Sequence, residues 1–544
     1  MRPLKWGILV AAACALFATP AAAAPTWSEP QAISPPGALD IRTAMDAGGN
    51  ALVTWGVLNE DRTTAGYYRW WLAGRGWAEV RRIPRKRVVQ GLAMTPLGEA
   101  QVVVQERPDH PGGPLFVATA KPGEALDGFE QVTATAAPSG VAFGADDAGN
   151  AILAWVQSGD APVLYVATRR AGGKFSEPLG LETHVGARPI VAVNAAGAAV
   201  VAWGSNLRGG VAAAYRPPGG SFGPNELAIS EHSYPQDIGI DTAGRAVVTG
   251  HEPIFAPGPE TRARYAVRSA LDEWSDPRSI DAEGLAAGMF VEPRGTITFM
   301  TVHESERDRY EHRAFTLMPD GSLARETVAS GAAGWPKGAM DLRGDILHVF
   351  QRSTAAGGYE LVARERGFAQ FAFGPEALVA PMSNRSYAFA PASNDLGQAI
   401  VAWAELPLPG EPWKPGPVRV AIRDDPALRD LPLPPDVDLY ADPLATLDPD
   451  GDLSVPIRCD QDCKAIPTGI VFPGAGRDAV AGRGGSKRLR RAKRGRVLVD
   501  FGAAGARAVR EAQAAGAKPW VSVSVRARGR SPRPLLVSRR YRLR

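Results

Sequence analysis

The chain has 544 residues, 45% of them hydrophobic, and carries 61 Lys and Arg against 57 Asp and Glu for a net charge of +4. Beyond the N-terminal segment no stretch approaches the ~20 apolar residues that a membrane-spanning helix needs, which excludes a helical membrane protein. The small net charge hides an asymmetry, because residues 482–544 hold nineteen Lys and Arg against Asp500 and Glu511, or +17, leaving −13 for the remainder. Such a basic tail points to something anionic: a wall polymer, lipid headgroups or extracellular nucleic acid.

Met1-Arg-Pro-Leu-Lys5 leads into an apolar run from Trp6 to Phe17 and then into Pro20-Ala-Ala-Ala-Ala-Pro25. This order is that of a secretory signal peptide. Residues 1–23 are assigned to it, with the cut before Ala24, since proline directly after a scissile bond makes a poor substrate. The apolar run continues past Cys14, which weighs against a lipidated cysteine. The mature protein is expected outside the cytoplasm, secreted or cell-wall associated, monomeric, and without a transmembrane segment.

From residue 24 to 424 a small acidic or polar residue is followed three places later by glycine, eight times. The copies begin at Asp46, Thr95, Asp146, Asn194, Asp241, Glu292, Asp341 and Asn394. The full form is Asp-x-x-Gly-x-Ala-x-x-x-Trp, as in Asp46 to Trp55. A fixed period of this length is the signature of a repeat architecture. Short apolar, partly β-branched runs flank each copy, as in Ile190–Val193 and Ala199–Trp203, so the glycine sits in a hairpin turn between two strands. Glycine supplies the positive φ, and the Asp or Asn is expected to bond its own backbone two residues on.

A third strand follows, as in Val163–Arg169, and a fourth is marked by an aromatic with a proline two or three places later: Trp27, Phe175, Phe222, Trp274 and Phe373. Proline there suits an edge strand. Four strands per repeat describe a β-propeller blade. The predicted fold is therefore all-β, an eight-bladed propeller closed by the N-terminal strand at Trp27. Seven blades is the alternative, because Val104 and Thr301 stand where copies two and six should carry Trp. Trp55, Trp155, Trp203 and Trp403 are expected to pack between blades.

Residues 425–447 read as a proline-rich linker, with Leu431-Pro-Leu-Pro-Pro435 at its centre. Residues 448–544 offer strands at Leu453–Cys459, Gly469–Phe472, Arg496–Phe501, Trp520–Arg526 and Leu535–Arg540, and a helix over Gly505–Ala515. This is enough for a small β-sandwich-like domain. Cys459 and Cys463 are expected to form a disulfide, as an exported chain allows and as the lack of nearby ligands for a metal requires. Asp448-Pro-Asp-Gly-Asp452 lacks the twelfth-position carboxylate of an EF-hand, since Cys459 stands there, and reads as an acidic turn.

The run Leu453–Cys459 with its nearby second cysteine, the Ala/Arg helix and the final Val-x-Val-x-Val strand resemble the C-terminal immunoglobulin-like modules of secreted actinobacterial proteins. That resemblance implies attachment or display. The repeat resembles, in the general sense, the sialidase-like class of secreted bacterial propellers, whose Asp-boxes read Ser-x-Asp-x-Gly-x-Thr-Trp. Here the Asp-to-Gly spacing is three and the Trp lies six beyond the glycine, so the likeness implies a propeller without that family's chemistry. No catalytic residue, metal or cofactor is assigned: there is no phosphate loop, no Gly-x-Ser-x-Gly elbow and no His-Glu-x-x-His motif.

The functional face of a propeller is built from the loops joining second strand to third and one blade to the next. This places His184, His232, Tyr234, His251, Glu252, His303, Glu304, Asn384 and Arg385 at one mouth as the candidate binding residues. The expectation is a non-enzymatic propeller presenting a binding face for an extracellular glycan or surface protein. A sialidase-like hydrolase or lyase acting on extracellular polysaccharide is the alternative.

Overall fold

The computed structural model describes residues 26–543, apart from 60–63, 86, 107–112, 134–137, 148, 195–196, 231–232, 242–243, 252–262, 269–273, 282–283, 293–294, 307–308, 319–321, 342–343, 368–369, 371, 408–412, 424–436, 440–443, 460, 473–479, 518 and 530–534. The expected signal peptide and most of the expected linker lie outside the described residues. The chain is all-β with one helix, Gly502–Ala514, among the described residues.

Each glycine turn joins the first two strands of an antiparallel set; among the described residues five of these sheets have four strands, that of the first repeat has five, and the sixth and seventh repeats share one of eight. We number these units one to eight in chain order. Unit four is representative: Val185–Val193, Ala199–Ser205, Gly210–Arg216 and Glu226–Ile229 pair in that order. Units two and six, which lack the Trp, keep the same strand order. Units six and seven are joined by a single bridge, Ala332 to Arg352. Unit eight takes its outermost strand from the other end of the chain, Gln31–Ala32 pairing with Val420 and Arg419.

The eight turn glycines all have positive φ, from +72° at Gly397 to +94° at Gly344. L side chains resist that region, which is why the pattern demands glycine. The polar residue that opens the turn accepts the amide two residues on, as expected, at Asn394, where Leu396 N to Oδ1 is 3.0 Å, and it also accepts the amide four residues on: Asn50 N to Asp46 Oδ1 is 2.8 Å and Arg245 N to Asp241 Oδ1 is 2.8 Å. The residue after the glycine faces back across the hairpin, and its carbonyl takes the Asp46 amide at 2.9 Å. Asn394 bonds both amides, at Leu396 and Gln398, and the Asp46 carboxylate likewise takes the amide of Gly48 as well as that of Asn50.

Consecutive units share one apolar core after another. Trp203 packs with Ile152, Ala154 and Val166 of unit three, and Trp403 with Leu347 and Leu361 of unit seven. Trp55 of unit one packs with Ile400, Ala402 and Val420 of unit eight. All four repeat tryptophans are at most 2% exposed. Burying such a ring contributes several kcal/mol, which makes the tryptophan the fastener between neighbours. At the seam of units six and seven, Phe350 replaces it beside two buried histidines, His312 and His348, whose rings meet edge to face at 5.5 Å.

The prolines of the fourth-strand motif lie just outside the strands: Pro178 precedes Leu179–Thr183 and Pro277 precedes Arg278–Asp281. The aromatic before them bridges to an arginine ending the third strand, as Phe175 does to Arg169 and Trp27 to Arg423. The guanidinium of each lies over that ring at 5.5 Å.

Residues from Val437 onward form one nine-strand sheet around the helix. It takes two short strands from inside the proline-rich segment, Val437–Leu439 and Leu444–Ala445, because Val437 and Leu439 are buried in its core. The expected sandwich is hydrogen-bonded into a single path, since Val480–Arg483 pairs with both Cys463–Phe472 and Asp500. Val521, Val523 and Val525 share the buried face as the alternation requires. The helix begins earlier than expected, at Gly502, whose amide is held by Asp500 Oδ1 at 2.7 Å. Cys459 and Cys463 are disulfide-bonded. Among the described residues no helix is long and apolar enough to cross a membrane.

Candidate functional site

The first strand of every unit lies against the first strand of the next, and Ala38–Met45 lies against Ser386–Ser393. Thr43 Oγ1 donates to Ala390 O across that last junction at 3.1 Å. These inner strands have two unlike ends.

At one end are the glycine turns, and they interlock. Asn194 Nδ2 donates to Asp241 O at 2.7 Å, Asn394 Nδ2 to Asp46 O at 3.0 Å, and Gln101 Nε2 to Gly149 O at 2.9 Å. All eight turn-opening residues are buried. Arg366 of unit seven takes the side chain of Glu292 in a fully buried ion pair and also bonds Thr298 and Thr316. The polar groups here are committed to the fold.

The other end is irregular. Seven of the eight first strands shift register near their start, between Leu39 and Arg42, Val89 and Gly91, Ser139 and Ala142, Ala187 and Ile190, Pro235 and Asp237, Ala286 and Gly288, and Ser386 and Ala388. A β-bulge inserts an unpaired residue and re-aims its side chain. The backbone device repeats but the side chains do not: Asp40, Gln90, Gly140, Arg188, Gln236 and Ala287 occupy it in turn. Between the bulges of units three, four and five lies a cavity of about 490 Å³, lined by Arg188, Tyr234, Gln236 and Asp237 over Phe143 and Ile190.

Asp237 is fixed at this cavity by the amides of Ile238 at 2.8 Å and Met289 at 2.7 Å. Removal from water outweighs these donors and nearby Lys337, so its carboxyl is pushed up to about 6. Burial likewise lowers the Arg42 guanidinium, opposed by Asp40. The neighbouring carboxylates are occupied. Glu106 holds Arg87 and Arg85, Asp281 holds Arg313 and Thr301, and Glu405 takes the amides of Ser383 and Asn384. A second cavity, of about 660 Å³, opens beside Glu182 and Arg208, which form an ion pair at 3.3 Å.

Among the sequence candidates, Tyr234 lines the first cavity and stands directly opposite His251 in the sheet. His251 is half-buried, which lowers its imidazole below the usual value. His184 is exposed at φ +60°, its Nδ1 3.2 Å from Thr183 Oγ1. His303 and Glu304 lie within the strand Ile297–Glu306, opposite Glu311 and Tyr310, and not in a loop as expected. That hairpin runs on because both strands keep pairing to its tip. Asn384 ties down its own loop, donating to Pro407 O at 2.8 Å, and Arg385 is exposed beside it. His232 and Glu252 lie outside the described residues. Arg188, Gln236 and Asp237 escaped the sequence reading because one additional residue in a strand leaves no compositional mark. Among the described residues no group of three His, Cys, Asp or Glu is arranged to hold a metal ion.

The structural neighbours of this chain include propeller-like proteins. No protein-family model matches the chain, and no curated protein matches its sequence. Solved structures similar to it include a fungal alcohol oxidase in complex with copper, at 10% identity over 95% of this chain and 99% of that one, with a TM-score of 0.42. An ulvan lyase of a new polysaccharide lyase family matches at 9% identity over 68% of this chain and 91% of that one, TM-score 0.39. The Aleuria aurantia lectin matches at 10% identity over 55% and 98% of the two chains, TM-score 0.32. Overlaps this loose carry no argument about function.

Proposed function

We propose that the eight units close into an eight-bladed propeller of an exported protein, and that the bulged end of its inner strands is a binding face for an extracellular glycan. The observation that carries this is the recurring bulge with non-recurring side chains. A constant backbone presents Arg188, Gln236, Asp237 and the half-exposed ring of Tyr234 around one cavity. Concave sites with an apolar floor and a few convergent polar groups are where small ligands bind, and a tyrosine gives a sugar both a face and a hydroxyl. Pairing of Trp27 and Gln31–Ala32 with the last unit supports closure, and the Cys459–Cys463 disulfide supports an oxidising compartment outside the cytoplasm.

The test is a glycan array probed with the full mature chain, followed by titration of any hit. Arg188→Ala with Tyr234→Ala should weaken that hit by about a hundredfold, the scale of two lost contacts of about 1–1.5 kcal/mol each. An unchanged affinity, or binding lost only when the residues after Asp448 are removed, would overturn the reading. Asp237 favours one alternative, a polysaccharide lyase or hydrolase, because a carboxyl held near 6 retains a proton to donate. Turnover of the same hit that disappears in Asp237→Asn while binding persists would establish that version.

A further inference from the structure

We propose that the disulfide end of the C-terminal sheet is a docking surface for a linear acidic polysaccharide. The positive charge of this domain is not spread evenly. Lys464 stands directly opposite Arg488 on one neighbouring strand and Arg528 on the other, so three exposed cations form a row across three strands. Neighbouring strands lie about 4.8 Å apart, and like charges directly opposite one another destabilise a sheet. Across the disulfide, exposed Arg458 and Arg494 form a second such pair.

The far end of the same strands carries the opposite sign. Asp452 pairs with Asp500, with Asp448 and Asp450 beside them, and this crowding with burial raises the Asp452 carboxyl. Like charges are thus gathered at both ends of one strand pair, and a polyanion laid over the basic end would offset the repulsion there.

The covalent frame holds the row in place. Cys459 and Cys463 point into the core while Arg458 and Lys464, their immediate neighbours, point out. The basic turn Arg490–Lys493 is docked on the disulfide loop by Ala492 N to Cys459 O at 2.8 Å and Arg491 N to Asp462 Oδ1 at 2.7 Å. Arginine-rich surfaces engage sulfate, phosphate and carboxylate groups through paired donors.

The chemistry favours a polysaccharide over the other polyanions. Single-stranded nucleic acid is gripped by aromatic stacking as well as charge. Among the described residues no aromatic side chain stands at this end, and Trp520 lies at the opposite end of its strand from Arg528. Stable seating on a lipid surface adds apolar insertion to charge. The exposed Leu498 sits instead two residues from Asp500, toward the acidic end.

The experiment measures binding of the full chain to heparin, to single-stranded DNA of matched charge and to phosphatidylserine vesicles, over a range of salt. Lys464→Ser/Arg488→Ser/Arg528→Ser should lose about tenfold or more in heparin affinity and flatten its salt dependence. Arg483→Ser/Arg507→Ser/Arg510→Ser removes as much charge elsewhere and should change affinity by less than about twofold, as rim charges do. Equal losses in both triples would reduce the effect to net charge and overturn the proposal. So would DNA or vesicles binding as tightly as heparin. Should the first triple lose its circular dichroism, Lys464→Ser alone carries the test, with a loss of about threefold expected from one central charge.

Discussion

The two ends of the inner strands are made by the same eight repeats, yet they differ in what repeats. At the glycine turns both backbone and side chains recur, and each turn reaches its neighbour, as Asn194 reaches Asp241 and Asn394 reaches Asp46. At the bulged end only the backbone recurs, and the residues at equivalent places run through acid, amide, glycine, arginine and alanine. Recurrence of a side chain marks a job done once per unit, which is joining units. A recurring frame with changing contents marks a surface released from that job. The lesson is that in a repeat protein the candidate site is found by subtracting what every unit shares.

That contrast can be broken most severely at Arg366. Its partner Glu292 is buried with it, so Arg366→Ala strands a carboxylate and should cost about 3–5 kcal/mol, read as a fall in denaturant midpoint. A midpoint that stays put would mean that the turn end is not the structural one. The next effect is one of pH. Burial holds His312 at about 4 and His348 well below its usual value, the latter also disfavoured by His312 and Arg364. With folded values below the unfolded 6.5, the unfolded chain binds more protons in between. Stability is therefore complete above pH 6.5 and falls as pH drops toward 4, by up to about 1.4 kcal/mol per pH unit for each ring. Asp237 opposes this, since a carboxyl raised to about 6 loses its contribution as pH rises through that value. Urea titrations from pH 4 to 7 should show a steeper acid loss in Asp237→Asn than in the parent.

A smaller effect belongs to the turns themselves. Gly397→Val places a β-branched residue at φ +72° and should cost about 1–3 kcal/mol, seen as a lower melting temperature. The smallest stability change is expected where the proposed binding change is largest. Gln236→Ala and Arg188→Ala, on the bulged end, should shift stability by less than about 0.5 kcal/mol. If they destabilise as much as Gly397→Val does, the two ends are not functionally distinct.

Much of the turn end was legible in the sequence, because positive φ is a hard steric demand and the spacing to Trp repeats with it. The inter-unit tryptophans were legible for the same reason. The long-range arginine contact was not: Arg366 meets Glu292 across 74 residues, and no short motif contains both. His312 and His348 were likewise invisible as a pair, since they meet only because adjacent units pack. The bulges escaped because a strand with one additional residue still alternates on either side of it. The strand Val437–Leu439 was masked by the prolines around it, although its Val-x-Leu alternation is that of a half-buried edge.

The clasp between the chain's beginning and its last unit bears on time as well as shape. Ser34 receives the amide of Val418, 384 residues away, and Ser28 that of Ile422. During synthesis the first strand must therefore wait until almost the whole repeat array has emerged. Every earlier hairpin can form from neighbours in sequence, whereas this one closes a very large loop and should form late. An N-terminal tag would act at that final step, leaving the last unit without its outermost strand.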